Sequence, residues 1–251
     1  PGKLRAIPTV VFPLIAANLI AGALLAFSFA MLEVSDSLIL AQRDMGVALL
    51  TLLVGCSYAA LTRIRARAWA AVALLGIAAL ATAWFFVLAP YQRSRILDVV
   101  DPGRDPLASG YQVNQSRIAI GSGGLWGKGW LEGTQTQLRF LPTQHTDFAL
   151  SVLAEEWGFI GCVTVLGFYV LLLAWGLVIG RNSKDAFAAM LAVGIVGALF
   201  WPAVLNIGMV VGLAPVIGVP LPFVAYGGSA LVSTLVAMGL LMNVSLRRYV
   251  F

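Results

Sequence analysis

The sequence predicts an all-α fold, a polytopic membrane helix bundle with about six spans and a long extracytoplasmic loop between spans three and four. Three observations predict it. Hydrophobic residues make up 60% of the 251-residue chain and charged residues 11%, whereas a soluble domain has about 45–50% and about 25%. So few charges cannot cover the surface of a water-soluble protein of this length. The apolar residues are gathered into runs, and about 20 of them cross a bilayer as helix. The charges gather between the runs, and residues 97–148 alone hold nine of them and the single histidine.

The first run, 7–32, follows Lys3 and Arg5. It is far longer than the apolar core of about 7–15 residues in a signal peptide, so it reads as a span. The chain starts at Pro1 rather than methionine, as a processed chain or a fragment would. Further spans are expected at 46–62, 68–89, 149–180, 186–211 and 226–246. The second is short and the fourth long, which predicts tilt or partial immersion. Cys56 and Cys162 both lie inside apolar runs and read as small core residues, not a disulfide framework. No Cys/His spacing resembles a zinc site, and no internal repeat is apparent. The whole is expected to form a single membrane domain, 1–251, with the loop at 91–148 inside it.

Orientation follows from Lys and Arg in the short loops. One side carries Lys3, Arg5, Arg63, Arg65, Arg67, Arg181, Lys184, Arg247 and Arg248 against one acid, Asp185. The other carries seven basic and ten acidic residues, with Glu155 and Glu156 counted there. The positive side is therefore expected to be cytoplasmic, with both termini inside and the long loop outside. A net charge of +5 placed mostly at the ends of apolar runs is membrane topology, not a nucleic-acid surface.

The long loop carries aliphatic and aromatic residues throughout, including Tyr111, Ile118, Leu125, Trp126, Trp130 and Phe140. Loops of this length with apolar content are usually functional. Gly121, Gly123, Gly124, Gly127 and Gly129 fall within nine residues, and glycine permits positive φ and close backbone approach to a ligand. A second outward loop, 212–226, contains Pro215, Pro220 and Pro222, which exclude a regular helix. Irregular backbone at membrane depth survives only under cover of protein or a watery cavity, so this loop is expected to fold back over the bundle mouth.

Asp147 is the first candidate for chemistry. It lies where the loop re-enters the membrane. Thr146 or Asp147 would cap the fourth span, and a helix N-terminus favours the ionised acid. Ionisation also suits a general base or a metal ligand, so both readings stand. Glu155 lies roughly 12 Å deeper along the same helix. An acid at membrane depth costs about 2.5–3.5 kcal/mol on insertion scales, so Glu155 and Glu156 are expected to face the bundle interior. Adjacent helical residues diverge by roughly 100°, which predicts a cavity for one and a basic partner for the other. A structural ion pair is the plainer reading. His145 alone is weak evidence for any role. Arg93, Arg95, Arg104, Arg117, Lys128 and Arg139 are either solvated charge or, with glycine-rich backbone amides, a phosphate site. GSGGLWGKG lacks the GxxxxGK[ST] spacing and lies outside the membrane, which argues against nucleotide binding.

Two segments, 91–161 and 206–232, carry a further signal. The first includes GSGGLWGKGWLEGTQTQL and HTDFALSVLAEEWGFIG; the second reads NIGMVVGLAPVIGVPLPFVAYGGSALV. Both resemble the RodA/FtsW family, the SEDS proteins of shape, elongation, division and sporulation. GSGGLWGKGWLEGTQTQL is more similar to the rod-shape branch than to the division branch. The resemblance implies a peptidoglycan glycosyltransferase that polymerises lipid II during cell elongation. The family's essential extracytoplasmic aspartate maps onto Asp147, as general base or as ligand of a divalent metal, Mg or Mn. The substrate-binding residues it implies are Arg93, Arg117, Lys128, Gln135, His145 and Glu155. Implied partners are lipid II and a class B penicillin-binding protein. A lipid II flippase and a non-catalytic scaffold for that transpeptidase are the alternatives. Family members usually have ten spans, so the N-terminal spans, with their Glu and Lys, would be lacking here. The family's QPDLG stands as Gln42-Arg43-Asp44-Met45-Gly46, and its PERHTDF has Thr143 and Gln144 in place of the charged pair.

Overall fold

The computed structural model describes residues 45–61, 74, 76–78, 81–100, 109–138, 140, 141 and 143–250. The expected span at 7–32, part of that at 68–89, and Lys3, Arg5, Arg43, Arg63, Arg65, Arg67, Arg104 and Arg139 lie outside the described residues.

Every described regular element is helical: α1 (Met45–Leu61), a π-helical turn (Ala83–Val87), α2 (Pro90–Val100), α3 (Ser109–Gly123), α4 (Thr134–Gln137), α5 (Ala149–Arg181), α6 (Ala186–Val211) and α7 (Gly228–Val250). Among them α5, α6 and Gly228–Leu246 of α7 are long and apolar enough to cross a membrane, and they fall on the fourth, fifth and sixth expected spans. The 17 residues of α1 fall on the second; they rise about 25 Å, a little short of a bilayer core of about 30 Å. The chain is a multi-pass, all-α membrane protein.

What reads in the sequence as one loop, 91–148, is built on α2, α3 and α4. The buried face of α3 is Ser116, Ala119 and Gly123, small residues at helical spacing. A β-carbon on Gly123 would strike the Ala154 carbonyl of α5. The helix is therefore gripped through small side chains and carries no large apolar stripe.

The chain divides into two compact units. One comprises Pro1–Tyr58, Tyr169–Trp201 and Gly228–Phe251. Its core joins Ile179 of α5, Ala192, Ile195 and Leu199 of α6, and Ala237, Leu241 and Val244 of α7. Gly176 and Gly180 stand one turn apart on α5, against Val196 and Ala192; small residues at this spacing let membrane helices approach closely. Trp201 Nε1 donates to Ser57 Oγ at 2.8 Å, satisfying an indole N–H that lipid could not.

The second unit comprises Ala59–Phe168 and Pro202–Gly227. Buried Ser116 ties three helices together here. Its Oγ donates to the Val210 carbonyl of α6 at 2.7 Å and meets Ser151 Oγ of α5 at 2.8 Å. Phe148, Met209 and Leu221 fill the centre of this unit. The loop at 212–227 is non-helical, as its prolines require, and Val216, Ile217, Val219 and Leu221 within it are buried.

Candidate active site

Asp147 sits two residues before α5, in a turn built around Thr143. The Thr143 carbonyl accepts from Thr146 N at 3.2 Å and Asp147 N at 3.1 Å, and Thr143 takes φ 50° to allow it. The carboxylate is turned toward the proline-rich loop: a β-carbon placed on Gly218 would stand 3.8 Å from Asp147 Oδ2. Gly218 has φ 69°, a conformation that glycine tolerates without strain. Among the described residues the first amides of α5 draw on the Phe148 carbonyl, with Ser151 N at 2.9 Å, so the expected capping by Asp147 is not what the turn uses.

Asn206 fixes this arrangement. It has no exposed surface. Its Nδ2 donates to the Asp147 carbonyl at 2.8 Å and to the Val219 carbonyl at 2.7 Å, bridging the turn to the loop. Arg95 of α2 reaches the same loop, Nη1 to the Val216 carbonyl at 2.8 Å. Partial burial raises the Asp147 pKa above the ordinary carboxylate value, while the Thr146 hydroxyl and the Arg95 charge act to lower it. Desolvation is the largest of these influences and opposes the pull of the helix end toward the ionised form. A cleft lined by Arg95, Asp98, Val113, Gly212, Pro215 and Val216 includes the arginine whose charge acts on Asp147.

The second polar centre is Glu155, which is wholly buried. Its Oε1 accepts from Lys128 Nζ at 2.8 Å and Gln135 N at 3.0 Å, and its Oε2 from Thr136 N at 3.1 Å and Thr136 Oγ1 at 3.0 Å. The carboxylate thus caps α4 from twenty residues away in sequence, where amide N–H groups and the helix dipole favour an anion. A side chain at Gly133 would occupy the carboxylate's place. The structural ion pair foreseen for this acid is present. Glu156 meets the Leu131 amide, not a cavity.

The glycine-rich segment approaches α5 rather than opening toward a ligand. At Gly158 the helix breaks, with φ 66° and ψ −164°. The break frees carbonyls before it and amides after it, and residues 124–129 supply partners for four of them. Lys128 N donates to the Glu155 carbonyl (3.0 Å) and Gly129 N to that of Glu156 (3.1 Å). In return Phe159 N donates to the Gly124 carbonyl (2.9 Å) and Ile160 N to that of Leu125 (3.2 Å). Gly127 and Gly158 face each other with no space for a β-carbon on either.

The predicted site residues therefore separate. Lys128, Gln135 and Glu155 converge in the buried cage. Arg117 closes the C-terminal end of α6, Nε to the Val211 carbonyl at 3.0 Å. Arg93 donates to the Phe85 carbonyl at 3.1 Å. His145 is exposed, and its carbonyl accepts from Tyr226 N at 2.7 Å. Arg95 was named only among six cations of the loop, and Asn206, Gly133 and Gly218 are residues that the sequence reading did not single out. These three act through backbone or space, which residue type alone does not announce.

Comparison with known proteins identifies the family. A family profile described as "Cell cycle protein", FTSW_RODA_SPOVE, matches residues 16–249. The "Peptidoglycan glycosyltransferase MrdB" of Escherichia coli K12 is 45% identical over 211 residues, 84% of this chain and 57% of that protein. A "Probable peptidoglycan glycosyltransferase FtsW" of Geobacter sp. M18 is 40% identical over 219 residues, 86% of this chain and 58% of that one. The chain thus spans somewhat more than half the length of these relatives. A solved structure described as "Structural coordination of polymerization and crosslinking by a peptidoglycan synthase complex" matches with TM-score 0.68 and 32% identity, over 92% of this chain and 70% of that one. With nearly its whole length matched by the profile, this chain belongs to the FtsW/RodA/SpoVE family of cell cycle proteins.

Proposed function

We propose that this chain carries the acceptor-activating part of a peptidoglycan glycosyltransferase that polymerises lipid II during cell elongation. The carrying observation is Asp147. It is a partly desolvated carboxylate clamped by Asn206 between the entry of α5 and the proline-rich loop, with Arg95 close enough to act on its charge. The names of the relatives support the reaction class. In this reading the acceptor sugar's 4-hydroxyl attacks the donor's anomeric carbon, the bond to undecaprenyl pyrophosphate breaks, and Asp147 takes the hydroxyl proton. Arg95 and neighbouring cations of the loop, Arg93 and Arg117, oppose the negative charge that grows on the diphosphate. Lys128 is already matched by Glu155 and serves the scaffold.

Among the described residues no three His, Cys, Asp or Glu side chains converge on one point. A cation such as Mg or Mn is usually held by one or two carboxylates together with substrate phosphates. In this reading Asp147 would hold it jointly with the diphosphate, and the ion would supply charge neutralisation there.

The loop is assigned to the outer face of a bacterial inner membrane by the distribution of Lys and Arg. A class B penicillin-binding protein is the proposed partner, supported by the similarity to a synthase complex of polymerisation and crosslinking. Surface chemistry is favoured over transport because the described spans α1, α6 and Gly228–Leu246 contain no Asp, Glu, Lys or Arg.

The test is polymerisation of purified lipid II by the protein in its native reading frame. Asp147→Ala is expected to lower the rate by about 10²–10⁴ while the protein stays monodisperse and melts normally. Undiminished glycan from that variant would remove the base assignment.

A further inference from the structure

The hairpin that docks on α5 turns an apolar surface outward. Trp126 is 80% exposed and Trp130 69%, and Leu125 and Leu131 beside them are also exposed. On α5, Trp157 (54%) and Phe159 (62%) continue the same exposed character. Trp130 meets Trp157 edge to face, with ring centroids 6.3 Å apart. The backbone bonds from residues 124–129 to 155–160 hold the hairpin in place, so this surface belongs to the fold. Its polar groups turn the other way, toward the Glu155 cage.

The length of α5 says what covers it. Beyond its break at Gly158 the helix runs on to Arg181, a charge suited to a polar boundary. From there about 20 residues, or about 30 Å, cross the hydrocarbon and reach the neighbourhood of Gly161. The helix breaks three residues beyond, at Gly158, so Trp157 and Phe159 flank that break at the edge of the headgroup layer. Tryptophan concentrates at that depth because its ring is apolar and its N–H seeks water or a headgroup oxygen. Exposed residues of α5 below it, including Val163 and Phe168, are apolar as lipid requires.

We infer that the hairpin is a membrane-interface anchor. Leu125, Trp126, Trp130 and Leu131, with Trp157 and Phe159, lie among the headgroups and upper acyl chains of the leaflet that the N-terminal end of α5 reaches. The occupant is the lipid surface itself. This inference stands apart from the transferase reading and needs no activity to test.

The experiment places a bimane label on Trp126→Cys in a background lacking Cys56 and Cys162, with the protein in its native reading frame reconstituted into phospholipid vesicles. Asn114→Cys on α3 is the aqueous reference and Val170→Cys on α5 the deep one. At position 126, lipids with a nitroxide near the headgroup are expected to quench about threefold more than lipids with one at the acyl terminus, the reverse of position 170. Iodide is expected to quench position 126 about threefold less than position 114. Iodide quenching equal to position 114, or absent lipid quenching, would overturn the inference. So would shielding that vanishes on diluting protein in lipid, which would mark a second copy as the occupant. Shielding seen only after a partner protein is added would overturn it equally.

Discussion

The side-chain amide of Asn206 joins the Asp147 carbonyl to the Val219 carbonyl, at 2.8 and 2.7 Å, with no exposed surface of its own. Asn206→Ala strands two carbonyls, each costing about 1–3 kcal/mol when buried without a partner. Asn206→Asp is expected to be at least as damaging, because it sets acceptor against acceptor. Thermal unfolding in detergent checks both, and a melting temperature equal to the parent's would show that the bridge adds nothing.

Glu155 and Lys128 are not equivalent partners. Lys128→Met leaves the carboxylate with the donors Gln135 N, Thr136 N and Thr136 Oγ1. Glu155→Gln points an NH₂ group into that ring of donors and leaves Lys128 without its counter-charge. Removing one partner of a buried pair costs about 3–5 kcal/mol, and because Lys128 keeps some solvent contact, the loss for Glu155→Gln is expected near the lower end. Denaturant titration is expected to rank Glu155→Gln well below Lys128→Met; equal midpoints would contradict the cage.

Asp147 gives the pH dependence. Burial raises its pKa in the fold above the ordinary value. The folded protein therefore holds this proton more tightly than the unfolded chain, and stability from this group declines as pH rises from the unfolded pKa through the raised one. Activity runs the other way, since a base works only when ionised: the rate is expected to fall as pH drops through the raised pKa. Arg95→Gln removes a charge that lowers this pKa, so the acidic limb of kcat/KM should move to higher pH. An unmoved limb would separate Arg95 from Asp147.

Orientation is checked by labelling. Ser122→Cys, at an exposed position of α3, should react with an impermeant maleimide in intact cells. Asn182→Cys, exposed between α5 and α6, should react only after lysis. The opposite pattern would invert the proposed topology.

The spans at α5, α6 and α7 were legible because apolar runs of 23–33 residues carry their own signal. Asp147 was legible as a carboxylate at a membrane entry, and the proline-rich loop as non-helical. Helix α3 was not, because its contact face is made of Ser116, Ala119 and Gly123, which no hydropathy pattern separates from loop. The break at Gly158 was equally hidden, because AEEWGFIG reads as continuous helix unless the chain that repairs it is known. Asn206 looked like one polar residue in an apolar run, and only the two carbonyls it meets explain it.

The seam between residues 124–129 and 155–160 is made of peptide groups. Such a fastening is indifferent to side-chain identity, apart from the paired absences at Gly127 and Gly158. Leu125 and Trp126 can thus give way to other apolar groups among descendants without unpicking the join. Two hydrogen atoms, one on each facing glycine, keep the segment sewn to the helix.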